Sequence, residues 1–172
     1  QFKTANLKGF GLENLTEAII AAGAILHYLE ATEHKDTQHI AAVSRIDEEK
    51  YVWLDRFTIR NLELVAPNSD GGVPLIDILD QTVTAMGSRQ LRKWMVLPLK
   101  EKEVIEERLE SVNTFYQDSD LAETILDNFR NIADLERLIS KVAAGRINPR
   151  ELVQLKRSLQ RIAPVKKIIG TH

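Results

Sequence analysis

Apolar residues recur at intervals of three and four positions after Gly72, and this spacing predicts a succession of helices. The first long helix is expected to run from Thr84 to about Val96, because Thr84 can cap it and Pro98 cannot continue it. Later apolar stripes predict further helices, namely Val104, Ile105, Leu109, Val112, Phe115 and Tyr116; Leu121, Ile125, Leu126 and Phe129; Ile132, Leu135, Leu138, Ile139 and Val142; and Leu152, Leu155, Leu159 and Ile162. Short connections favour an antiparallel helical bundle.

Capping and breaking residues mark the expected ends of these helices. Asp120–Glu123 and Asn148–Glu151 each have the form of a capping box, in which the first side chain and the last satisfy each other's backbone amides. Gly145 is expected to end the helix before the second box. Pro74 can open a short helix, and Pro164 is expected to break or kink the last one.

The first part of the chain has a different pattern. The capping box Asn14–Glu17 predicts a helix over Leu15–Ala31, and this helix is apolar around most of its circumference, so we expect it to be buried on several sides. Alternation over Gln38–Asp55, interrupted by the polar turn Asp47–Lys50, predicts a β-hairpin. A short helical pattern follows before the breaker cluster Pro67–Gly72.

Charge and cysteine content narrow the functional classes. The 172 residues have a net charge of −2 and no cysteine, which excludes a disulfide framework, a thiolate zinc site and a cysteine nucleophile. An intracellular, soluble protein is the simplest expectation, because the apolar run Ala18–Leu29 is too short to span a bilayer.

The charges are unevenly distributed along the chain. Acidic residues dominate Lys100–Glu136, whereas Pro149–His172 carries six basic residues against Glu151 alone. Opposite charges that face each other within one bundle are favoured over a nucleic-acid patch.

The patterns that would carry chemistry are missing. The glycines form no G-x-x-x-x-G-K-[ST] loop, so ATP cannot be held by that route, and no G-x-S-x-G nucleophile motif occurs. The four histidines are poorly spaced for a metal site. Glu106, Glu107 and Glu110 are expected to form a solvated acidic face. We therefore predict no catalytic, cofactor-binding or metal-binding residue.

Arg89, Arg92 and Lys93 form a candidate nucleic-acid group, and a DNA-binding module would use them together with the basic stretch Pro149–His172. The spacing of the three residues places them on one side of the predicted helix, opposite Trp94, which we expect to be a core residue. DNA phosphates are one possible target. The other is an acidic segment such as Lys100–Glu110, or a neighbouring domain, and this second interpretation is favoured.

Residues 79–99 contain L-D-x-T-x-T-x-M-G-S-R-x-L-R-x-W followed by P-L, and this segment resembles the start of the core, or lever, domain of the MutS family of DNA mismatch repair ATPases. Further fragments resemble the same family in the same order: Gly9–Glu13, Leu54–Asp55, Arg60–Leu64, Asp134–Arg137 and Pro149–Leu152. Met86–Arg89 is more similar to the bacterial branch.

The resemblance implies a division into three segments. Residues 1–39 would be a C-terminal remnant of the connector domain, 40–70 a junction with the β-hairpin and a short helix, and 71–172 the N-terminal segment of a helical core domain. No Phe-x-Glu mismatch-reading motif and no Walker motif occur, so no catalytic or mismatch-contacting residue is carried over. Because the chain begins at Gln1, we expect an excerpt of a longer protein.

The implied function is structural. The excerpt would couple the connector, lever and ATPase parts of a bacterial mismatch repair protein without binding a cofactor itself, whereas ATP and Mg would belong to the parent protein. Its implied partners are the remaining domains and, through the full-length protein, mismatched double-stranded DNA, with a homodimer in the full-length protein and a cytoplasmic, nucleoid-associated location. The alternatives are a helical protein-interaction adaptor and a weak, non-specific DNA-binding module.

Overall fold

The computed structural model describes residues 15–32, 40 and 48–170, and this part of the chain is mainly helical, as predicted. The helices in chain order are α1 (Thr16–Ala31), α2 (Arg56–Asn61), α3 (Leu75–Leu79), α4 (Ala85–Val96), α5 (Lys102–Gln117), α6 (Ser119–Arg130), α7 (Leu135–Ala143) and α8 (Pro149–Ile169), with a short 3-10 helix at Glu48–Lys50 before α2. No described helix is both long enough and apolar enough to cross a bilayer.

The chain divides into two compact units. The first includes α1 and residues 136–153, and the second includes residues 48–135 and 154–170. Helix α1 has no buried residue, so the expectation that it is buried on several sides is wrong for this chain. Its apolar composition does not bury it here, because burial needs a packing partner as well as apolar side chains. The predicted cap residue Asn14 lies outside the described residues.

In the first unit, the connection from α7 to α8 forms as predicted. Gly145 adopts φ +63°, and the amides of Gly145 and Arg146 donate to the carbonyls of Val142 and Lys141, at 3.0 and 2.9 Å. This paired arrangement satisfies the last carbonyls of α7, and it favours glycine because only glycine reaches positive φ without steric cost. The α7 helix therefore ends where the sequence indicated.

The capping box at the start of α8 is also confirmed. Asn148 Oδ1 accepts from the Glu151 amide at 2.9 Å, while Glu151 Oε2 accepts from the Asn148 amide at 3.2 Å. The Lys141 ammonium donates to the same carboxylate, and this contact, with the Asn148 amide, lowers the pKa of Glu151. In the first turn of α8, the Glu151 carboxylate thus accepts hydrogen bonds from both the Asn148 amide and the Lys141 ammonium.

The start of α6 differs from the prediction, and Pro164, predicted to break or kink the last helix, does not break it. Helix α6 is capped by Asp118, whose Oδ1 accepts from the Leu121 amide at 2.8 Å, rather than by Asp120. Pro164 lies inside α8 and does not end it. The last turn is held by packing, since Val165 is buried against α6 with Ile168 beside it, and this packing outweighs the hydrogen bond that proline removes.

The predicted β-hairpin over Gln38–Asp55 is not seen. Residues 41–47, which include most of its first strand, lie outside the described residues, so that part is not assessed. In the second strand, Tyr51 instead forms a single antiparallel bridge with Leu99, and the Val52 amide donates to the Pro98 carbonyl at 2.7 Å. Strand propensity could not identify a partner that lies after α4.

The core of the second unit lies between α5, α6 and α8. Leu121, Ile125 and Val165 form the buried cluster, and Phe115 and Ile168 pack against it. These side chains come from three helices, so the cluster holds distant parts of the sequence together.

We expect Ile125→Ala to lower the free energy of unfolding by about 3 kcal/mol, because it removes buried methyl groups from this cluster and leaves a cavity. The neighbouring Leu126 is the matched control, since it is 39% exposed whereas Ile125 is 5% exposed. Leu126→Ala should cost less than about 1 kcal/mol. Urea denaturation followed by circular dichroism measures both, and equal losses would contradict this description of the core.

Candidate functional site around helix α4

The carboxylate of Asp80 organises the start of α4. Its Oδ1 accepts from the backbone amide and the hydroxyl of Thr82, at 3.0 and 2.5 Å, and its Oδ2 accepts from the Ser88 hydroxyl. These bonds, that of Ser88 first, lower the pKa of Asp80. Because Ser88 lies one turn inside α4, the contact fixes α4 to the segment that follows α3.

Thr84 and Gly87 complete the first turn of α4. Thr84 Oγ1 accepts from the Gly87 amide at 3.0 Å, which confirms the predicted cap. A Cβ at position 87 would lie 3.0 Å from Thr84 Oγ1 and 3.2 Å from Thr82 Cβ. Glycine therefore permits a close approach that a larger residue would disturb.

Arg89 points to another part of the protein. Its Nη1 and Nη2 donate to the two carboxylate oxygens of Asp134 at 2.9 and 2.8 Å, so the ion pair is bidentate. The Arg89 side chain is 49% exposed and that of Asp134 is 21% exposed. Asp134 belongs to the connection between α6 and α7, so this pair joins α4 to residues distant in sequence.

The other two candidate residues have different surroundings. Arg92 Nη1 donates to the Val65 carbonyl at a long 3.4 Å, and its charge helps to lower the pKa of Asp80. Lys93 is exposed, and within residues 48–170 its side chain makes no hydrogen bond or ion pair. The three basic side chains thus share one side of α4 but do not converge on one site.

Trp94 is not a core residue, contrary to the prediction. It is 42% exposed, and the Arg108 guanidinium carbon lies 4.1 Å from the centroid of its ring. This distance is within the range of a cation–π contact. Helical spacing places Trp94 opposite Arg89 but does not show whether another element covers that side.

Sequence reasoning missed the partners Ser88, Arg108 and Asp134. Asp134 belongs to the acidic stretch predicted to face basic residues, although it lies beyond Lys100–Glu110, the segment named as the example. No local spacing could pair it with Arg89, 45 residues earlier. For metal binding, the described residues contain no group of three or more His, Cys, Asp or Glu side chains that could hold an ion.

A pH titration tests the Asp80 contacts. A carboxyl whose pKa is lowered on folding stabilises the fold above its unfolded pKa, and this contribution is lost as the pH falls through the folded pKa. We expect Ser88→Ala to raise the Asp80 pKa toward its ordinary value and to shift the onset of acid destabilisation to higher pH. NMR titration of the carboxyl carbon measures the first effect, and melting temperature against pH measures the second.

Ser111→Ala is the control for this titration. The Ser111 hydroxyl donates to the Glu107 backbone carbonyl on exposed α5 and touches no carboxylate. An Asp80 pKa unchanged by Ser88→Ala, or equally changed by Ser111→Ala, would show that the Ser88 hydroxyl does not set it.

A double-mutant cycle tests the Arg89–Asp134 pair. Arg89→Gln and Asp134→Asn should show a coupling energy of about 1 kcal/mol that weakens at high salt, which is the upper end for a pair that is only partly shielded from water. Arg89→Lys should recover only part of this coupling energy, because lysine lacks the planar guanidinium group that donates two hydrogen bonds to one carboxylate.

The exposed pair Lys102–Glu106, at 3.3 Å, is the control for this cycle. Its coupling energy should be no more than about 0.5 kcal/mol. If the Arg89–Asp134 coupling energy is no larger than that of this exposed pair, the bidentate ion pair does not persist in solution.

Comparison with known proteins shows the family to which this chain belongs. Residues 57–172 match the family model described as MutS domain III. The chain is 59% identical over 168 residues to the DNA mismatch repair protein MutS of Cytophaga hutchinsonii, which covers 98% of this chain and 20% of that protein. The corresponding Bacteroides fragilis protein is 52% identical over 166 residues, covering 96% of this chain and 19% of its own length.

The Porphyromonas gingivalis MutS protein is 48% identical over 171 residues, covering 99% of this chain and 19% of that protein. The chain thus spans about one fifth of the length of these curated relatives. The family match begins within α2 and includes α3 to α8, and with them the Asp80 contacts and the Arg89–Asp134 pair. The chain belongs to the MutS domain III family.

Proposed function

We propose that this chain is a non-catalytic, structural part of a MutS-type DNA mismatch repair ATPase, in which it couples connector, lever and ATPase parts during the binding of mismatched DNA. The bidentate Arg89–Asp134 pair carries the proposal, because it directs one of the three candidate DNA-contacting side chains toward the protein. In this role α4 is a scaffold element rather than a phosphate-binding surface.

A connected set of contacts in the second unit supports a mechanical role. The Ser88 hydroxyl at the start of α4 donates to the Asp80 carboxylate. The next residue, Arg89, donates to the Asp134 carboxylate. One residue earlier, the Ala133 amide donates to Ser158 Oγ of α8 at 3.0 Å. A displacement of α4 would thus reach α8 through the connection between α6 and α7. Coupling between sites needs packed and hydrogen-bonded paths of this kind, with an element that has two arrangements.

The remaining domains of the parent protein are the proposed partners of α5. Part of its apolar stripe is exposed, from Ile105 at 36% through Leu109 and Val112 to Tyr116 at 82%. Adjacent exposed apolar residues on one helix favour contact with further protein surface. The same observation favours the second candidate function, a helical protein-interaction adaptor.

The resemblance to the family supports further proposals. They are ATP and Mg as cofactors of the longer protein, mismatched duplex DNA as its ligand, a homodimeric full-length state and a cytoplasmic, nucleoid-associated location. The segment boundaries at 39/40 and 70/71 remain predictions. A weak, non-specific DNA-binding role would instead need the basic side chains of α4 and of the C-terminal stretch to face solvent, and among those of α4 Lys93 meets this condition best.

Titration of the chain with matched and singly mismatched duplexes tests the proposal. We expect a dissociation constant of about 10 μM or weaker at physiological salt, equal for the two duplexes and weaker still as salt is raised, because phosphate contacts carry no sequence information. Arg89→Gln should leave it unchanged, since Arg89 is engaged by Asp134. Fluorescence anisotropy measures these affinities.

Two results would contradict the proposal. One is a tight preference for the mismatched duplex that Arg89→Gln abolishes. The other is ATP hydrolysis by the purified chain above the rate of a buffer blank.

A further inference from the structure

A cavity of about 580 Å³ lies along α8, on a side that the proposed function does not use. It is lined by Arg157, Gln160, Arg161 and Pro164 of α8 and by Asn131, which follows α6. We call it the α8 cavity. Residues three and four positions apart lie on the same side of a helix, so the four α8 residues form one continuous wall.

The lining of the α8 cavity is positively charged. It contains two guanidinium groups and no acidic residue. The acidic residues that flank Asn131 in sequence are both paired elsewhere, Asp127 with Arg130 at 2.7 Å and Asp134 with Arg89 at 2.8 Å. Within residues 48–170, Arg157 and Arg161 form no ion pair. Their charges therefore remain available to a ligand.

The position of this wall is fixed by the buried side of α8. Ser158 is 1% exposed, accepts from the Ala133 amide at 3.0 Å and donates to the Gln154 carbonyl at 2.9 Å. These bonds set the rotation of α8 and hold the chain two residues after Asn131. The cavity is thus built from two elements whose backbones are held in place by Ser158, while the side chains that line it are exposed.

We propose that the α8 cavity binds a phosphate group. Guanidinium groups bind phosphate through two parallel N–H···O bonds, and two of them spaced by one helical turn can contact different oxygens of the same group. The Gln160 amide adds a further donor. Asn131 already gives one amide hydrogen to the Asp127 carbonyl at 2.8 Å and retains a second. Four donor side chains around one cavity suit the several oxygens of a phosphate better than the two of a carboxylate.

Free phosphate and the phosphodiester backbone of DNA present the same oxygens, so the test has two arms. The arginine side-chain NMR signals of the chain are followed during titration with inorganic phosphate and, separately, with a short matched DNA duplex. We expect the Arg157 and Arg161 signals to shift and saturate with phosphate. If the duplex saturates the same signals at lower concentration the source is the DNA backbone, and if it leaves them unmoved the source is a free phosphate.

Matched variants separate a site from general attraction. Arg157→Gln and Arg161→Gln should each weaken phosphate binding about tenfold. Arg157→Lys should lose part of the affinity, because lysine keeps the positive charge but cannot donate two parallel hydrogen bonds to the phosphate. Lys166→Gln removes one positive charge from the opposite side of α8 and should leave the affinity unchanged. Circular dichroism of each variant checks that the helices are retained.

Several results would overturn the proposal. Equal weakening by Lys166→Gln would show diffuse attraction to a basic surface, and saturation by acetate or poly-glutamate at the same or lower concentration would show a carboxylate site. Absence of saturable shifts in the unmodified chain would also refute it. Mismatch-blind duplex binding in this cavity agrees with a structural role for α4, so the two proposals can fail separately.

Discussion

The connection between α6 and α7 is held from both sides, and the arrangement of the second unit depends on this constraint. From α4, Arg89 binds the Asp134 carboxylate through two hydrogen bonds. From α8, the Ser158 hydroxyl accepts from the backbone amide of Ala133, the residue that precedes Asp134. One short segment therefore fixes two helices that are far apart in sequence. The placement of the α8 cavity follows, since Asn131 lies at the start of the same segment.

The two contacts contribute differently. Removing a buried hydroxyl that accepts from a backbone amide lowers the stability of the fold by about 1–3 kcal/mol, because the buried amide is left without a hydrogen-bond partner. An ion pair that is 49% and 21% exposed is worth about 1 kcal/mol or less, because water screens it. Ser158 is thus the stronger anchor. The geometry of the Arg89 pair matters more than its energy, since two parallel bonds fix the direction in which α4 is attached.

Local signals predicted the helices well, and distant partners could not be predicted. The limits of α4 and the start of α8 were correct because Thr84 and Asn148 satisfy amides only three residues away. The predicted hairpin is not seen in the described residues, where Tyr51 pairs with Leu99, a partner that no alternation within its own segment reveals. Arg89 was recognised as a candidate from its spacing, but its partner was decided by tertiary packing.

Membership in the MutS domain III family and the inward direction of Arg89 together support a structural role for α4. The most direct measurement of this claim follows the guanidinium NMR signals of Arg89 while the chain is saturated with a mismatched duplex. We expect these signals and the contact of Arg89 with Asp134 to persist unchanged. Loss of that contact together with a new contact between Arg89 and a DNA phosphate would contradict it.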